Sequence, residues 1–202
     1  MKSFLLITII SLVSYFSFSQ ESKVKKFGYG FFFEGNRSFL KVNTGNEVVS
    51  KPTFGGGLGI LADYDLTKNF TVVTKLGLSF SNTAFDLVSG DAIVHEFEIY
   101  PKNIDIRLQA NYALGKKTNR PYIFIGPSLM IPLVDKTKPT WMYESGNTNA
   151  SIDFGLGFDK DFEIFHFLPE IRYSYGLINV NATPILRSLY VHRLTLTLNF
   201  KN

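Results

Sequence analysis

Between Tyr190 and Phe200, apolar and polar side chains take turns: Tyr190, Leu194, Leu196, Leu198 and Phe200 stand in one phase, Arg193, Thr195, Thr197 and Asn199 in the other. The same period recurs where Ile152, Phe154, Leu156 and Phe158 alternate with Asp153, Gly155, Gly157 and Asp159. It recurs again where Ile104, Ile106, Leu108, Ala110 and Tyr112 alternate with Asp105, Arg107, Gln109 and Asn111. A period of two places alternate side chains on opposite faces of a strand. After residue 20 no window keeps a 3.6-residue apolar period, so the chain reads as all-β. Eight strands are expected, over Phe27–Gly35, Thr53–Tyr64, Asn69–Phe80, His95–Ala113, Pro121–Leu133, Ala150–Asp159, Phe165–Ile178 and Tyr190–Phe200.

The connections between these runs alternate in length. Short turns fall at Asp65–Lys68, Gly115–Asn119 and Lys160–Ile164, whereas long polar segments fall at Asn36–Pro52, Ser81–Val94, Val134–Asn149 and Asn179–Leu189. Sorting of tight and extended hairpins to opposite ends is the pattern of an even-stranded barrel in an outer membrane. The expected fold is therefore an eight-stranded antiparallel transmembrane β-barrel of the outer-membrane type.

The phase of the strands follows from the cost of charge in lipid. Lys75, Arg107, Arg172 and Arg193 turned outward would each cost roughly 2–4 kcal/mol at the bilayer midplane. Together they would rival the stability of a whole domain, about 5–15 kcal/mol. The apolar phase must face outward, and the stretch FLPEIRYSYGLINV then shows its rings to acyl chains and Glu170 and Arg172 to the lumen. Aromatic residues at the tight-turn ends, Phe27, Tyr64, Phe70, Tyr112, Tyr122, Phe158, Phe167 and Phe200, form an expected interface girdle. Phe33, Phe54, Phe80, Tyr100, Tyr175 and Tyr190 are expected to form a second girdle at the loop ends. The fifth run, PYIFIGPSLMIPL, is apolar in both phases and carries Pro127, so its register stays open; the fourth changes phase near Pro101, where a bulge is expected.

An eight-stranded lumen is filled by side chains. Glu34, Asp63, Asp105, Asp153 and Glu170 are expected to face Lys75, Arg107, Arg172 and Arg193 across it as a structural charge network. Glycines at 28, 30, 55, 57, 59, 77, 155, 157 and 176 make room for that network.

Composition narrows the setting. The first residues, MKSFLLITIISLVSYFSFSQ, carry Lys2, an apolar run and Ser17-Phe18-Ser19, so residues 1–19 are expected to be a cleaved signal peptide and residues 20–202 the barrel domain. The absence of Cys removes disulfides, thiolate metal sites, Cys nucleophiles and lipoprotein acylation. A formal charge of +4 spread along the chain gives no nucleic-acid footprint.

Candidate chemistry is sparse. The cluster GGGLG at 55–59 lacks the Lys-Ser/Thr of a phosphate-binding loop and sits in a strand. His95, His166 and His192 fall on separate strands without metal-ligand spacing, and Asp159–Glu163 lacks the twelve-residue calcium pattern. Ser174, Ser188 and His192 could meet at the rim, but no nucleophile motif marks them. No enzyme, metal or small-molecule cofactor is expected.

The runs PKNIDIRLQANYAL, NRPYIFIGPSL, SIDFGLGFD, FLPEIRYSYGLINV and RLTLTLNF resemble the PorT-like outer membrane protein β-barrel family. The resemblance is carried most by Pro169, Glu170, Ile171, Arg172, Tyr173, Ser174, Tyr175, Gly176, Leu177 and Asn179, and by Arg120, Pro121, Tyr122, Gly126 and Pro127. It implies an integral outer-membrane barrel and, for the namesake members, a part in type IX secretion and gliding. It implies no catalytic residues. Glu170 and Arg172 stand out as an expected interior pair. The expected role is structural or accessory, with outer-membrane lipid and secretion-complex proteins as partners. The alternatives are a narrow solute channel, a rim enzyme acting on lipid, and a soluble lipocalin-like barrel.

Overall fold

The computed structural model describes residues 27–43, 47–51, 54–81, 83–89, 92–99, 102–115, 119–133, 147–180 and 188–202. Its strands are β1 (Phe27–Asn43), β2 (Glu47–Lys51), β3 (Phe54–Asp65), β4 (Phe70–Ser81), β5 (Thr83–Ser89), β6 (Ala92–Ile99), β7 (Lys102–Ala113), β8 (Arg120–Pro132), β9 (Asn149–Phe162), β10 (Phe165–Gly176) and β11 (Ser188–Lys201). Eight of them close a barrel in the order β1-β11-β10-β9-β8-β7-β4-β3, and β2, β5 and β6 form a separate three-stranded sheet. All pairings are antiparallel, and β1 closes the ring by pairing with both β11 and β3. Closure leaves no open edge within the barrel wall, which is what a sheet in hydrocarbon requires.

The apolar phase faces outward. Leu196 is 53% exposed on the outer wall and Thr197 is 0% exposed inside. Ile60, Leu76, Leu108, Ile125, Leu156 and Ile171 continue the outer belt, while Lys75, Arg107, Asp153, Arg172 and Arg193 are buried within. The signal-peptide segment lies outside the described residues, as do Tyr100, Pro101 and residues 134–146 and 181–187.

Three expectations change. The run at 95–113 is not one strand: β6 joins the three-stranded sheet, and only β7 enters the barrel. Alternation persists on both sides of Pro101 in opposite phase, and a period of two does not say which sheet a strand joins. The segments at 36–52 and 81–94, read as loops, carry strand: β1 runs on to Asn43, paired through Asn43↔Ser188, and β2 and β5 follow. Beyond the lipid belt an outward position need not be apolar, so Arg37 and Lys41 broke the pattern without breaking the ladder. Tyr122 does not belong to the interface girdle; it is 4% exposed and points into the lumen.

The register of the fifth run is decided by volume. Tyr122, Phe124, Ser128 and Met130 of β8 face inward, and Ile123, Ile125, Pro127 and Leu129 face out. The β7–β8 ladder is interrupted between Arg107↔Ser128 and Ala110↔Ile125, where Pro127 has no N–H to donate. Inward rings need neighbours without side chains. A Cβ on Gly155 would meet the Phe124 ring at 2.6 Å, one on Gly157 would meet the Tyr122 ring, and one on Gly77 would meet Phe32 Cζ at 2.7 Å. The glycines thus make room for buried rings as well as for charge, a cross-strand pairing in which an aromatic covers a glycine. We expect Gly77→Ala to cost about 1–3 kcal/mol in reversible unfolding. Phe32→Leu in that background should recover part of the loss; full additivity of the two changes would argue against the contact.

Candidate functional site

The lumen is where the chemistry-bearing side chains meet. On β1, Glu34 occupies an inward position between Phe32 and Asn36, and Arg107 occupies one on β7, across the barrel. Arg107 donates from Nη1 and Nη2 to the two oxygens of Glu34 at 2.7 and 2.8 Å, a bidentate pair, and its Nη2 also reaches Asp105 at 2.8 Å. Arg172 of β10 donates to Glu34 at 3.0 Å and lies 3.7 Å from Asp153. Arg193 of β11 forks onto both oxygens of Asp105 at 3.2 Å. Ser128 donates to Asp153 at 2.8 Å. Three guanidiniums and three carboxylates from five strands are thereby joined into one network.

A second group lies toward the tight turns. Lys75 Nζ donates to Glu170 at 2.6 Å, and the Tyr122 hydroxyl donates to the other Glu170 oxygen at 2.8 Å. Phe32 sits against both groups, with Lys75 Nζ 5.8 Å and Arg107 Cζ 5.6 Å from its ring centroid. Nearer the barrel mouth, Lys201 donates to Asp63 at 2.8 Å. Between these pairs lies a cavity of about 50 Å³ lined by Leu61, Val73, Asn111, Leu168 and Asn199 together with Asp63, Lys75, Tyr122, Glu170 and Lys201. Its floor is the Lys75–Glu170–Tyr122 cluster, beyond which the guanidinium network fills the section: Arg107 is 1% and Arg172 0% exposed.

The structure thus brings Glu34, Asp105, Arg107, Asp153, Arg172 and Arg193 together, and sets Lys75 with Glu170 and Asp63 apart with Lys201. The expected Glu170–Arg172 pair is replaced by Glu170–Lys75 and by Arg172 with Glu34 and Asp153. Side chains two apart on one strand emerge about 6.6 Å from each other; Asp105 and Arg107 bridge that gap at 2.8 Å, whereas Arg172 turns to carboxylates on β1 and β9. Lys201 and Tyr122 were missed as interior residues. Lys201 keeps the phase of Thr197 and Asn199, so periodicity alone could have found it; nothing in the doubly apolar fifth run marked Tyr122.

On the outer wall, Phe27, Tyr64, Tyr112 and Phe158 are exposed at the tight-turn end, with Phe70, Phe167 and Phe200 partly so. Phe200 packs 5.2 Å from both Phe31 and Phe167 between centroids. At the loop end Phe54, Phe80 and Tyr175 are exposed and Tyr190 partly so, whereas Phe33, expected there, lies lower on the wall beside Phe31 and Phe200. Ser174 faces the lumen opposite Arg193, whereas His192, the next residue, takes the outer face and lies 4.7 Å from the Tyr175 ring; the two do not meet. His166 Nδ1 lies 3.0 Å from Asp159 at the tight-turn end, and the side chain of His95 lies outside the described residues. No group of three or more His, Asp or Glu with metal-site geometry occurs among the described residues.

A closed antiparallel wall with an apolar exterior, aromatic bands at its rims and a lumen packed with paired charge defines a small integral β-barrel of the outer membrane. The chain belongs to the outer membrane protein beta-barrel domain family, whose model matches residues 18–181. Among solved structures it is similar to the outer membrane protein OprG from Pseudomonas aeruginosa, at 14% identity over 87% of this chain and 94% of that one, with a TM-score of 0.52. It is also similar to the outer membrane protein AlkL, determined by solid-state NMR in DMPC bilayers, at 14% identity over 91% and 92% of the two chains and a TM-score of 0.52. Both likenesses concern the fold. A comparison with curated proteins finds no match.

Proposed function

We propose that this barrel is a structural or accessory protein of the outer membrane, without solute conduction and without catalysis of its own. The observation that carries the reading is the lumen: Arg107, Arg172, Lys75, Glu34 and Glu170 are buried at 0–7% exposure, Glu34 bonded to Arg107 and Arg172 and Glu170 bonded to Lys75 across the section at 2.6–3.0 Å. A path for ions would have to break charge-assisted bonds between groups already withdrawn from water, which is strongly unfavourable. Purified protein in planar bilayers is expected to give no reproducible conductance steps; steps at the single-molecule level would replace this reading with that of a narrow channel.

The accessory role we favour is support of type IX protein secretion or gliding, with secretion-complex proteins as partners. It rests on the likeness of Pro169–Leu177 and of the Arg120–Pro127 run to the PorT-like barrels. Deletion of the gene should reduce type IX cargo export and gliding. Intact export and gliding in the deletion strain would remove that role and leave the closed barrel standing.

A further inference from the structure

The loop-side end of the outer wall carries a cluster of polar groups separate from the lumen. Along β1 the outward positions after Gly35 are Arg37, Phe39 and Lys41, so two exposed cations point away from the barrel. Arg37 is held between rings, its Cζ 5.4 Å from the Phe39 centroid and 5.3 Å from that of Phe54. Phe39 stands opposite His192 of β11, and Lys41 opposite Tyr190. His192 is 8% exposed, with the Tyr175 and Tyr173 rings 4.7 and 6.1 Å from its own. Its Nδ1 is buried and has no hydrogen-bond partner.

Among the described side chains, the charge at this outer rim is cationic. Among the described residues no carboxylate pairs with Arg37 or Lys41, and the outward side chains described at the loop-side rim include Lys102 but neither Asp nor Glu. A bare cation on the outer wall is unfavourable in hydrocarbon and favourable at headgroup depth, where phosphate answers it. The Phe39 and Phe54 rings hold the Arg37 guanidinium against the wall, and its planar fork of N–H donors suits a phosphate.

We propose that β1, β10 and β11 form a seat for a phosphorylated lipid of the outer leaflet. Arg37 and Lys41 hold the phosphate, and Phe39, Tyr173 and Tyr175 lie against the upper acyl chain. The occupant is a lipid, because the rings flanking the cations belong to the bilayer-facing wall and would be idle toward a free anion.

The test uses the full folded barrel in dodecyl maltoside micelles, titrated with dioleoyl phosphatidic acid or with the matched phosphatidylcholine, bound lipid being counted by native mass spectrometry. Each cation is expected to contribute roughly fivefold to affinity, so phosphatidic acid should bind about 25-fold more tightly than phosphatidylcholine. The double variant Arg37→Gln with Lys41→Gln should abolish the preference while keeping the heat-dependent gel mobility of a folded barrel. Lys160→Gln, outward at the opposite end, should leave the preference unchanged. Equal binding of the two lipids, or an equal loss with Lys160→Gln, would overturn the site; displacement of bound lipid by millimolar inorganic phosphate would overturn the lipid as its occupant.

Discussion

Replacing Glu34 with Leu is expected to lower the unfolding free energy of the barrel by about 3–5 kcal/mol, the cost of breaking a buried ion pair from one side. The carboxylate receives both terminal nitrogens of Arg107 and one of Arg172, all at 3.0 Å or less. Its removal leaves two guanidiniums facing each other in a section with almost no solvent access. Glu34→Gln keeps one acceptor and the side-chain volume, and should cost less. The measurement is reversible urea unfolding in lipid vesicles, followed by gel mobility without boiling. A loss below 1 kcal/mol for Glu34→Leu would mean that Asp105 and Asp153 alone neutralise the arginines, and that Glu34 is not the hub of the network.

The second large effect is at Lys75. Lys75→Met preserves most of the stem and removes the ammonium that contacts Glu170 at 2.6 Å, leaving that carboxylate with the Tyr122 hydroxyl. A loss of about 3–5 kcal/mol is expected. Adding Glu170→Gln should restore a substantial part of it, because the amide no longer carries a buried charge and still accepts from Tyr122. The coupling between the two sites should exceed 0.5 kcal/mol, the lower bound for residues in contact. Additive losses would show that the pair does not act as a unit. Arg172→Leu with Glu170 intact tests the competing pairing: it should show little coupling to Glu170 and clear coupling to Glu34.

These expectations depend on partners that only the folded barrel names. The strands themselves were legible because lipid imposes a strict rule on each of them: Leu194, Leu196 and Leu198 must face one solvent and Arg193, Thr195 and Thr197 the other. The rule failed where its cause was absent. Past Gly35 the wall leaves hydrocarbon, Arg37 and Lys41 become acceptable outward, and a continuous strand looked like a loop. In the fifth run both phases are apolar because the lumen at that level takes rings over Gly155 and Gly157, so the pattern that betrays a face was erased and Tyr122 was assigned to the wrong one.

By itself, the sequence determined the eight-stranded barrel and the orientation of its faces, though not the added three-stranded sheet, since alternation is local and the penalty for charge in lipid is large enough to exclude the opposite phase. It also determined which ionic groups lie inside, Lys201 excepted. Tertiary structure decided which of them meet, because Glu34 and Arg107 are 73 residues apart and come together only when closure of the ring brings β1 opposite β7. It likewise decided that Glu170 belongs to Lys75 and Arg172 to Glu34 and Asp153, because which groups come within reach across a lumen is set by how many strands close it.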